Sequence, residues 1–176
     1  PARGRFFRGQ LKEFLILARE EQRDEFELLG SYAGAMGFGQ FIPSSYRAYA
    51  IDFDGDGRRD IWTNVTDAIG SVANYLSEHG WRKGQEITEL VIPGTDDNQA
   101  FFVGKLKPHV SIEELKLAGF ELQRNEMQEK VSPLLFHGTQ GEEYWVGYYN
   151  FYVITRYNHS KLYAMAVYQL SRSLAG

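Results

Sequence analysis

The stretch "IDFDGDGRRDIWTNVTDAIG" carries the clearest chemistry in this sequence. Asp52, Asp54 and Asp56 alternate, and Gly57 follows at once. An EF-hand loop begins this way: it offers calcium oxygen ligands from alternate positions and turns sharply at a glycine. On that template the three aspartates are the first three ligands, and Arg58 offers its backbone carbonyl, since its side chain cannot bind a cation. The residue that should close the loop, Thr63, is not acidic. A longer loop would bring Asp67 back as the closing, bidentate ligand; Asp60, directly or through water, is the alternative. A solvated Asp/Gly turn is the plainer reading, because both residues favour turn geometry. The DxDxDG order between two helical patterns favours a metal, and a donor set of hard oxygens favours calcium over zinc or a redox metal. A cage filled by protein oxygens leaves little room for substrate, so the expected role of the metal is structural.

The second unusual piece is "GSYAGAMGFGQFIPSSY". Glycines at 30, 34, 37 and 39 allow close approach to the backbone. Phosphate binding is a weak idea here, because no Lys-Ser/Thr pair follows and no GxGxxG stands between a strand and a helix. A close-packed helix crossing is the plainer alternative. The histidines at 79, 109, 137 and 159 show no ligand spacing.

These groups need elements to hold them. "RFFRGQLKEFLILAREEQ" places Phe7, Leu11, Phe14, Leu15 and Ala18 at helical spacing. The glycine-rich run is too rich in glycine for a stable helix. Pro43 and Ser44 then open a short one. "TDAIGSVANYLSEHGW" reads as a helix with Thr66 or Asp67 near its start, Gly80 as its stop, and Ala68, Ile69, Val72, Ala73 and Leu76 as its buried face. After Gly84, "EITELVIPG" and "AFFVGKL" read as strands. "SIEELKLAGF" is a short helix with a capping box of Ser111 and Glu114. "YWVGYYNFYVITRYN" is aromatic and β-branched, hence strand or extended. "SKLYAMAVYQLSRSLAG" closes the chain as a helix. The order is α+β: a mainly helical domain, residues 1–84 and 141–176, interrupted by a small α/β insertion at 85–140.

Length and composition fit that reading. The chain has 176 residues, 43% hydrophobic and 24% charged, which suits one globular domain or a domain with a small subdomain. A net charge of −4 offers nothing to a polyanion, so no nucleic-acid partner is expected. The absence of cysteine excludes disulfides, thiolate metal sites and a cysteine nucleophile. No apolar run approaches the roughly 20 residues of a membrane span. There is no signal peptide, and "PARGRFFRG" runs at once into a helical pattern without an initiator Met, as in a fragment or a chain lacking its natural start.

"GSYAGAMGFGQFIPSSYRAYAIDFDGDG", followed by "DAIGSVANYLSEHGW", closely resembles the membrane-bound lytic murein transglycosylase B family. "PARGRFFRGQLKEFLILAREEQ" and "NFYVITRYNHSKLYAMAVYQL" resemble it too; residues 85–140 carry the resemblance least. The resemblance implies a lysozyme-like helical fold with a small inserted subdomain and a calcium-bound, EF-hand-like loop longer than the common type, which would make Asp67 the closing ligand. It implies cleavage of the β-1,4 bond between N-acetylmuramic acid and N-acetylglucosamine in peptidoglycan. In that reaction the muramyl C6 hydroxyl, not water, attacks the anomeric carbon and leaves a 1,6-anhydro end. One glutamic acid protonates the leaving oxygen and then takes the hydroxyl proton, for which its pKa must be raised by burial. It also implies a monomer in the periplasm, with membrane contact only through an upstream lipid anchor.

In that family the catalytic Glu lies upstream of the "PARGRFF" equivalent, so the resemblance assigns no catalytic residue within this chain; Glu20 and Glu21 match a helix that is not catalytic. The resemblance places Ser31 and Gln40 beside the sugar. Tyr75, Tyr157, Asn158 and Tyr163 match cleft residues that pack on or hydrogen-bond the glycan. Arg3 matches a basic residue that meets the muramyl lactate or peptide. On their own, such tyrosines are more often half-buried core, and Ser31 could be a turn residue. The competing functions are a non-catalytic peptidoglycan-binding module and a calcium-dependent interaction protein. The latter would need a second loop and a Met-rich groove, and the chain has one loop and three Met.

Overall fold

The computed structural model describes residues 2–94, 98–123 and 129–176. The chain divides into two compact units, Pro1–Glu78 and His79–Gly176. The fold is α+β, as expected.

In the first unit, helix α1 (Ala2–Glu20) lies against the short helix α2 (Pro43–Tyr49). Of the apolar stripe read from the sequence, Ala18 is buried, together with Leu17, whereas Phe7, Leu11 and Leu15 stay largely exposed. α2 has Pro43 at its first turn and no side-chain cap from Ile42. Its free N-terminus is satisfied from α1 instead: Ser44 N–H donates to Gln10 Oε1 at 3.0 Å, and Gln10 Nε2 donates to Ser44 Oγ at 3.0 Å. Arg47 then reaches back to Glu13 and Glu20. Beneath these ion pairs Tyr46 is wholly buried, its hydroxyl donating to the Arg59 carbonyl. The glycine-rich run between the helices forms turns stitched by single bridges, Gly30 with Met36 and Met36 with Phe41.

Helix α3 (Val65–Glu78) starts one residue after Asn64, whose Oδ1 accepts Thr66 N–H at 3.0 Å and Asp67 N–H at 3.3 Å. Its buried side is Asp67, Ala68, Gly70, Ser71 and Tyr75; Ile69 is 65% exposed and Ala73 also faces out. This corrects the apolar face read from the sequence. The helix faces a loop with backbone N–H groups to satisfy, so two of its inward positions are polar: Ser71 Oγ accepts Ile51 N–H at 3.0 Å, and Asp67 serves two more.

The second unit is built on a four-stranded antiparallel sheet in the order β1-β4-β3-β2, from β1 (Thr88–Leu90), β2 (Val110–Ser111), β3 (Lys130–Gly138) and β4 (Gly141–Gly147). β3 is buried on both faces. One side joins Val110, Ile112, Leu115, Phe120 and Val131; the other packs Leu134 and Phe136 on Phe151, Ile154, Ala164 and Met165. Pro133 is tolerated in this strand because β2 pairs with β3 only at Lys130 and Val131, which leaves that edge open beyond them. Helix α4 (Ile112–Leu117) carries the expected capping box of Ser111 and Glu114.

Three expectations need correction here. "AFFVGKL" is no strand: a 3-10 turn, Asn98–Phe101, leads into irregular chain, and Phe101 and Phe102 pack their rings on Phe120 instead of entering a ladder. "YWVGYYNFYVITRYN" is strand only as far as Gly147; helix α5 (Tyr149–Tyr157) follows, and α6 (Lys161–Ala175) closes the chain. Burial of Asn150, Phe151, Ile154 and Thr155 at helical spacing overrides the β propensity of these residue types. A boundary at residue 140 cuts the β3–β4 hairpin, because Gly138 pairs with Gly141 and β4 also pairs with β1.

Asn150 pins α5 to the chain that enters the sheet. It is 1% exposed, accepts Arg82 N–H at 2.8 Å, and donates to the carbonyls of Arg82 and Gln85 at 2.8 and 3.1 Å. Replacing it with alanine strands the Arg82 N–H and the Gln85 carbonyl and leaves the Arg82 carbonyl with the Gln85 N–H alone. Asn150→Ala should therefore lower the stability of this unit by about 3 kcal/mol, read as a lower urea midpoint.

Candidate functional site

The acidic loop lies between Ala50 and the start of α3. Asp52 organises it: Oδ1 accepts the N–H groups of Gly55 and Asp56 at 2.7 and 3.1 Å, and Oδ2 accepts that of Gly57 at 2.8 Å. Gly57 has φ +89°, the left-handed conformation the turn requires. Asp54 Oδ2 takes Asn64 Nδ2–H at 2.8 Å, and Asp56 Oδ1 takes Arg58 N–H at 2.9 Å. The result is a ring: Asp52, Asp54, Asp56 and Asp67 each bring one carboxylate oxygen within 4.8 Å of the others. Asp67 is fully buried, with Oδ1 accepting Phe53 N–H at 2.8 Å and Oδ2 accepting Asp60 N–H at 2.9 Å. Four carboxylates at such spacing repel one another unless a cation joins them, and an all-oxygen set of this size fits a hard dication.

Thr63 and Asp60 stand outside the ring. Thr63 donates both its N–H and its hydroxyl to Asp60, which also accepts Trp62 N–H at 2.8 Å and faces Arg23 at 3.6 Å. Burial pushes the Asp60 carboxyl upward, but those hydrogen bonds and the Arg23 charge outweigh it and hold the group below its ordinary range. Asp60 thus locks the exit of the loop.

Beside this exit lies a cavity of about 450 Å³ whose walls include Arg23, Leu29, Ser31, Gln40, Trp62 and Thr63. A smaller, more apolar one of about 310 Å³, lined by Phe7, Phe14, Tyr32 and Met36, shares Ser31 with it. Ser31 opens a tight turn: its N–H donates to the Ala35 carbonyl at 2.7 Å, and its Oγ accepts Ala35 N–H at 3.1 Å. Gln40 is exposed and held at φ +51°, unusual for a residue with a side chain; its Nε2 donates to the Gly37 carbonyl at 2.9 Å. Gly37 must be glycine, because a Cβ there would lie 2.4 Å from the Ile61 carbonyl oxygen.

The other residues read from the sequence divide between the units. In the first, Arg3 is exposed on α1, its guanidinium 5.7 Å from the Phe7 ring centre. Tyr75 is 8% exposed, its ring packed on Phe41 and Tyr49 at 5.9 and 4.8 Å, so little of it remains for a ligand. In the second, half-buried Tyr157 ends α5, exposed Asn158 follows, and Tyr163 sits in the first turn of α6, capped by Ser160. The sequence reading missed Asn64, Arg23 and Trp62, and it weighed Asp60 only as an alternative ligand, whereas the acidic ring forms without it. Asn64 was legible, as an Asn standing just before the first helical residue. Trp62 was not, because its partner Leu29 is 33 residues away.

Glu20 and Glu21 border a polar recess with Arg58, Arg59 and Asp60. Glu20 is bound by Arg47 through two nitrogens, at 2.9 and 2.7 Å, and Glu21 by Arg59. The Arg47 hydrogen bonds hold the Glu20 carboxyl below its ordinary range, against a smaller upward push from burial. That is the wrong direction for a proton donor near neutral pH.

Fold and site together define an α+β protein in which an EF-hand-like loop braces a polar cavity. A family model described as "Transglycosylase SLT domain" matches residues 1–172, and the chain belongs to that family. Over 99% of its length it is 46% identical to "Membrane-bound lytic murein transglycosylase B" of Escherichia coli (strain K12), covering 47% of that protein. The catenated lytic transglycosylase SltB1 from Pseudomonas aeruginosa matches with TM-score 0.94 at 50% identity, over 99% of this chain and 58% of that one. The Escherichia coli lytic transglycosylase Slt35 in complex with calcium matches with TM-score 0.89 at 46% identity, over 99% and 55%. The chain spans about half the length of these relatives.

A carboxyl held low adds stability that is fully present above its unfolded value and is lost as pH falls through the folded one. The Glu20 side chain should therefore titrate below 4.5 by NMR and move up toward 4.5 in Arg47→Met. The stability gap between the native chain and Glu20→Gln should close as pH drops below 4.5.

Proposed function

We propose that this chain is the glycan-binding and cation-binding part of a lytic transglycosylase acting on peptidoglycan in the periplasm. The reaction is cleavage of the β-1,4 bond between N-acetylmuramic acid and N-acetylglucosamine, with a 1,6-anhydromuramyl product. The observation that carries this reading is the cavity where a serine hydroxyl and a glutamine amide stand on glycine-braced turns, in a chain 46% identical to a murein transglycosylase along nearly its whole length.

In this reading Ser31 and Gln40 hydrogen-bond the sugar at the scissile linkage. Arg3 meets a lactate or peptide carboxylate. Tyr157, Asn158 and Tyr163, with the exposed part of Tyr75, supply further glycan contacts. The leaving oxygen needs a proton, and Glu20 and Glu21 are each tied to an arginine. The acid is therefore assigned to a glutamate outside residues 1–176. Asp52, Asp54, Asp56 and Asp67, with the Arg58 carbonyl, hold calcium in a structural role, and the ion's charge holds the facing carboxylates together. The protein acts as a monomer. Among the described residues no helix is long and apolar enough to cross a membrane; membrane contact is assigned to a lipid anchor outside this chain.

Two experiments test this. Calcium added to EDTA-treated protein should raise the melting midpoint, by the equivalent of about 2.7 kcal/mol at a hundredfold excess over Kd; an unchanged midpoint rules the structural role out. Purified sacculi incubated with residues 1–176 should retain the protein but release no 1,6-anhydromuramyl ends by mass spectrometry. The same chain extended upstream should release them. Anhydro ends from residues 1–176 alone would place the acid inside, with Glu20 and Glu21 the first to mutate. Binding with no cleavage by either form would make the protein a peptidoglycan-binding module.

A further inference from the structure

Both rims of the Ser31/Gln40 cavity hang on three consecutive residues, Asp60, Ile61 and Trp62. Trp62 Nε1 donates to the Leu29 carbonyl at 3.2 Å, fixing the chain two residues before Ser31. On the other rim Phe38 N–H donates to the Ile61 carbonyl at 2.9 Å, and Gly37 packs on that same carbonyl. The Gly37 carbonyl in turn receives both Gln40 N–H, at 3.2 Å, and Gln40 Nε2. The backbone that places the Gln40 amide therefore rests on Ile61. The supporting triplet is itself suspended from the acidic ring: Asp60 N–H donates to Asp67 Oδ2, and Trp62 N–H donates to Asp60 Oδ1.

We propose that Trp62 is a positioning residue that couples the cation site to the glycan site. It does not contact sugar with its ring face. The indole is half-buried, with the Tyr46 ring centre 5.2 Å away and the Arg23 guanidinium over it at 5.2 Å. Its contribution is one directed N–H and a rigid wedge. An ion drawing in the Asp67 carboxylate fixes Asp60, hence Trp62, hence the Leu29–Ser31 rim, and through Ile61 the Gln40 rim. Cation and glycan then order the same segment, so each must strengthen the other by the same factor.

The glycan arm rests on the glycan part of the proposed function; a second arm rests only on its cation part, which the melting experiment tests separately. In the unmodified chain, the amide resonances of Ser31, Gly37 and Gln40 should shift when calcium is added to EDTA-treated protein. In Trp62→Phe, which keeps a ring between Tyr46 and Arg23 but has no N–H, the Ser31 shift should be lost while the Gln40 shift, carried by Ile61, remains. Calorimetry with a GlcNAc–MurNAc tetrasaccharide should show tighter binding with calcium than with EDTA, and tighter calcium binding with the tetrasaccharide present, by equal factors. W62F should weaken the tetrasaccharide about fivefold, as expected for one lost hydrogen bond, leave calcium affinity without sugar within about twofold, and bring the coupling factor toward one. Trp62→His, which retains a ring N–H, should recover part of it.

Calcium-induced shifts at Ser31 that persist in W62F would overturn the role of Trp62. Absence of such shifts in the unmodified chain would overturn the coupling itself, and that spectrum needs no variant to fold. A tetrasaccharide that fails to bind with calcium present, while the resonances behave as stated, would count against the glycan reading and leave the positioning role standing.

Discussion

The carboxylate of Asp67 is sealed from solvent and serves two masters. Each of its oxygens holds a backbone N–H, one from Phe53 at the entry of the acidic loop and one from Asp60 at its exit. One of those oxygens also closes the ring formed with Asp52, Asp54 and Asp56. A buried charge of this kind is tolerable only when hydrogen-bonded and matched by opposite charge. The loop supplies the hydrogen bonds; a cation held by the ring would supply the countercharge. Remove the Asp67 carboxylate and the exit of the loop loses its anchor on α3, while the entry keeps only the Ser71–Ile51 bond.

From that anchor the arrangement spreads through hydrogen bonds with few alternatives. Asp60 gathers Trp62 and Thr63, Trp62 holds Leu29, and Ile61 seats Gly37 and Phe38. The cavity thus has walls of loop but supports of helix. Loops without such supports would leave the Ser31 hydroxyl and Gln40 amide mobile, and a site that must order itself on binding is a weaker one. The left-handed backbone at Gln40 fits this pattern: a non-glycine residue is kept in a sparsely populated conformation by its surroundings.

The sequence showed the acidic ring because its signal is local, with three carboxylates and a glycine in a fixed order. It showed α1, α3, α4 and α6 because helical periodicity and caps are local too. Tertiary pairing was hidden. The inward side of α3 is partly polar because it faces backbone donors of a loop, which no periodicity of apolar residues reports. The segment from Tyr149 to Tyr157 has strand-like composition and becomes helix because Asn150 must reach Arg82 and Gln85, some 65 to 68 residues back. For Ser31 and Gln40 the residues alone gave only a glycine-rich run; the resemblance drew attention to them, and the structure brings them to one cavity wall. Tyr75 lies mostly in the core, where its residue type alone would have put it.

The way α2 is begun has a consequence for how this protein reaches its native state. A helix of seven residues is too short to persist by itself in water, since nucleation outweighs the few bonds gained. Its first turn finds its acceptor on Gln10, 34 positions earlier, and its last turn finds Glu13 and Glu20 through Arg47. α2 therefore gains its structure only as α1 meets it, and the loop closed by that meeting contains the whole glycine-rich run. Closing it costs chain entropy before any cavity wall exists. The turns that wall the cavity would then be among the late features to form in this unit, assembled on a scaffold of helices already docked.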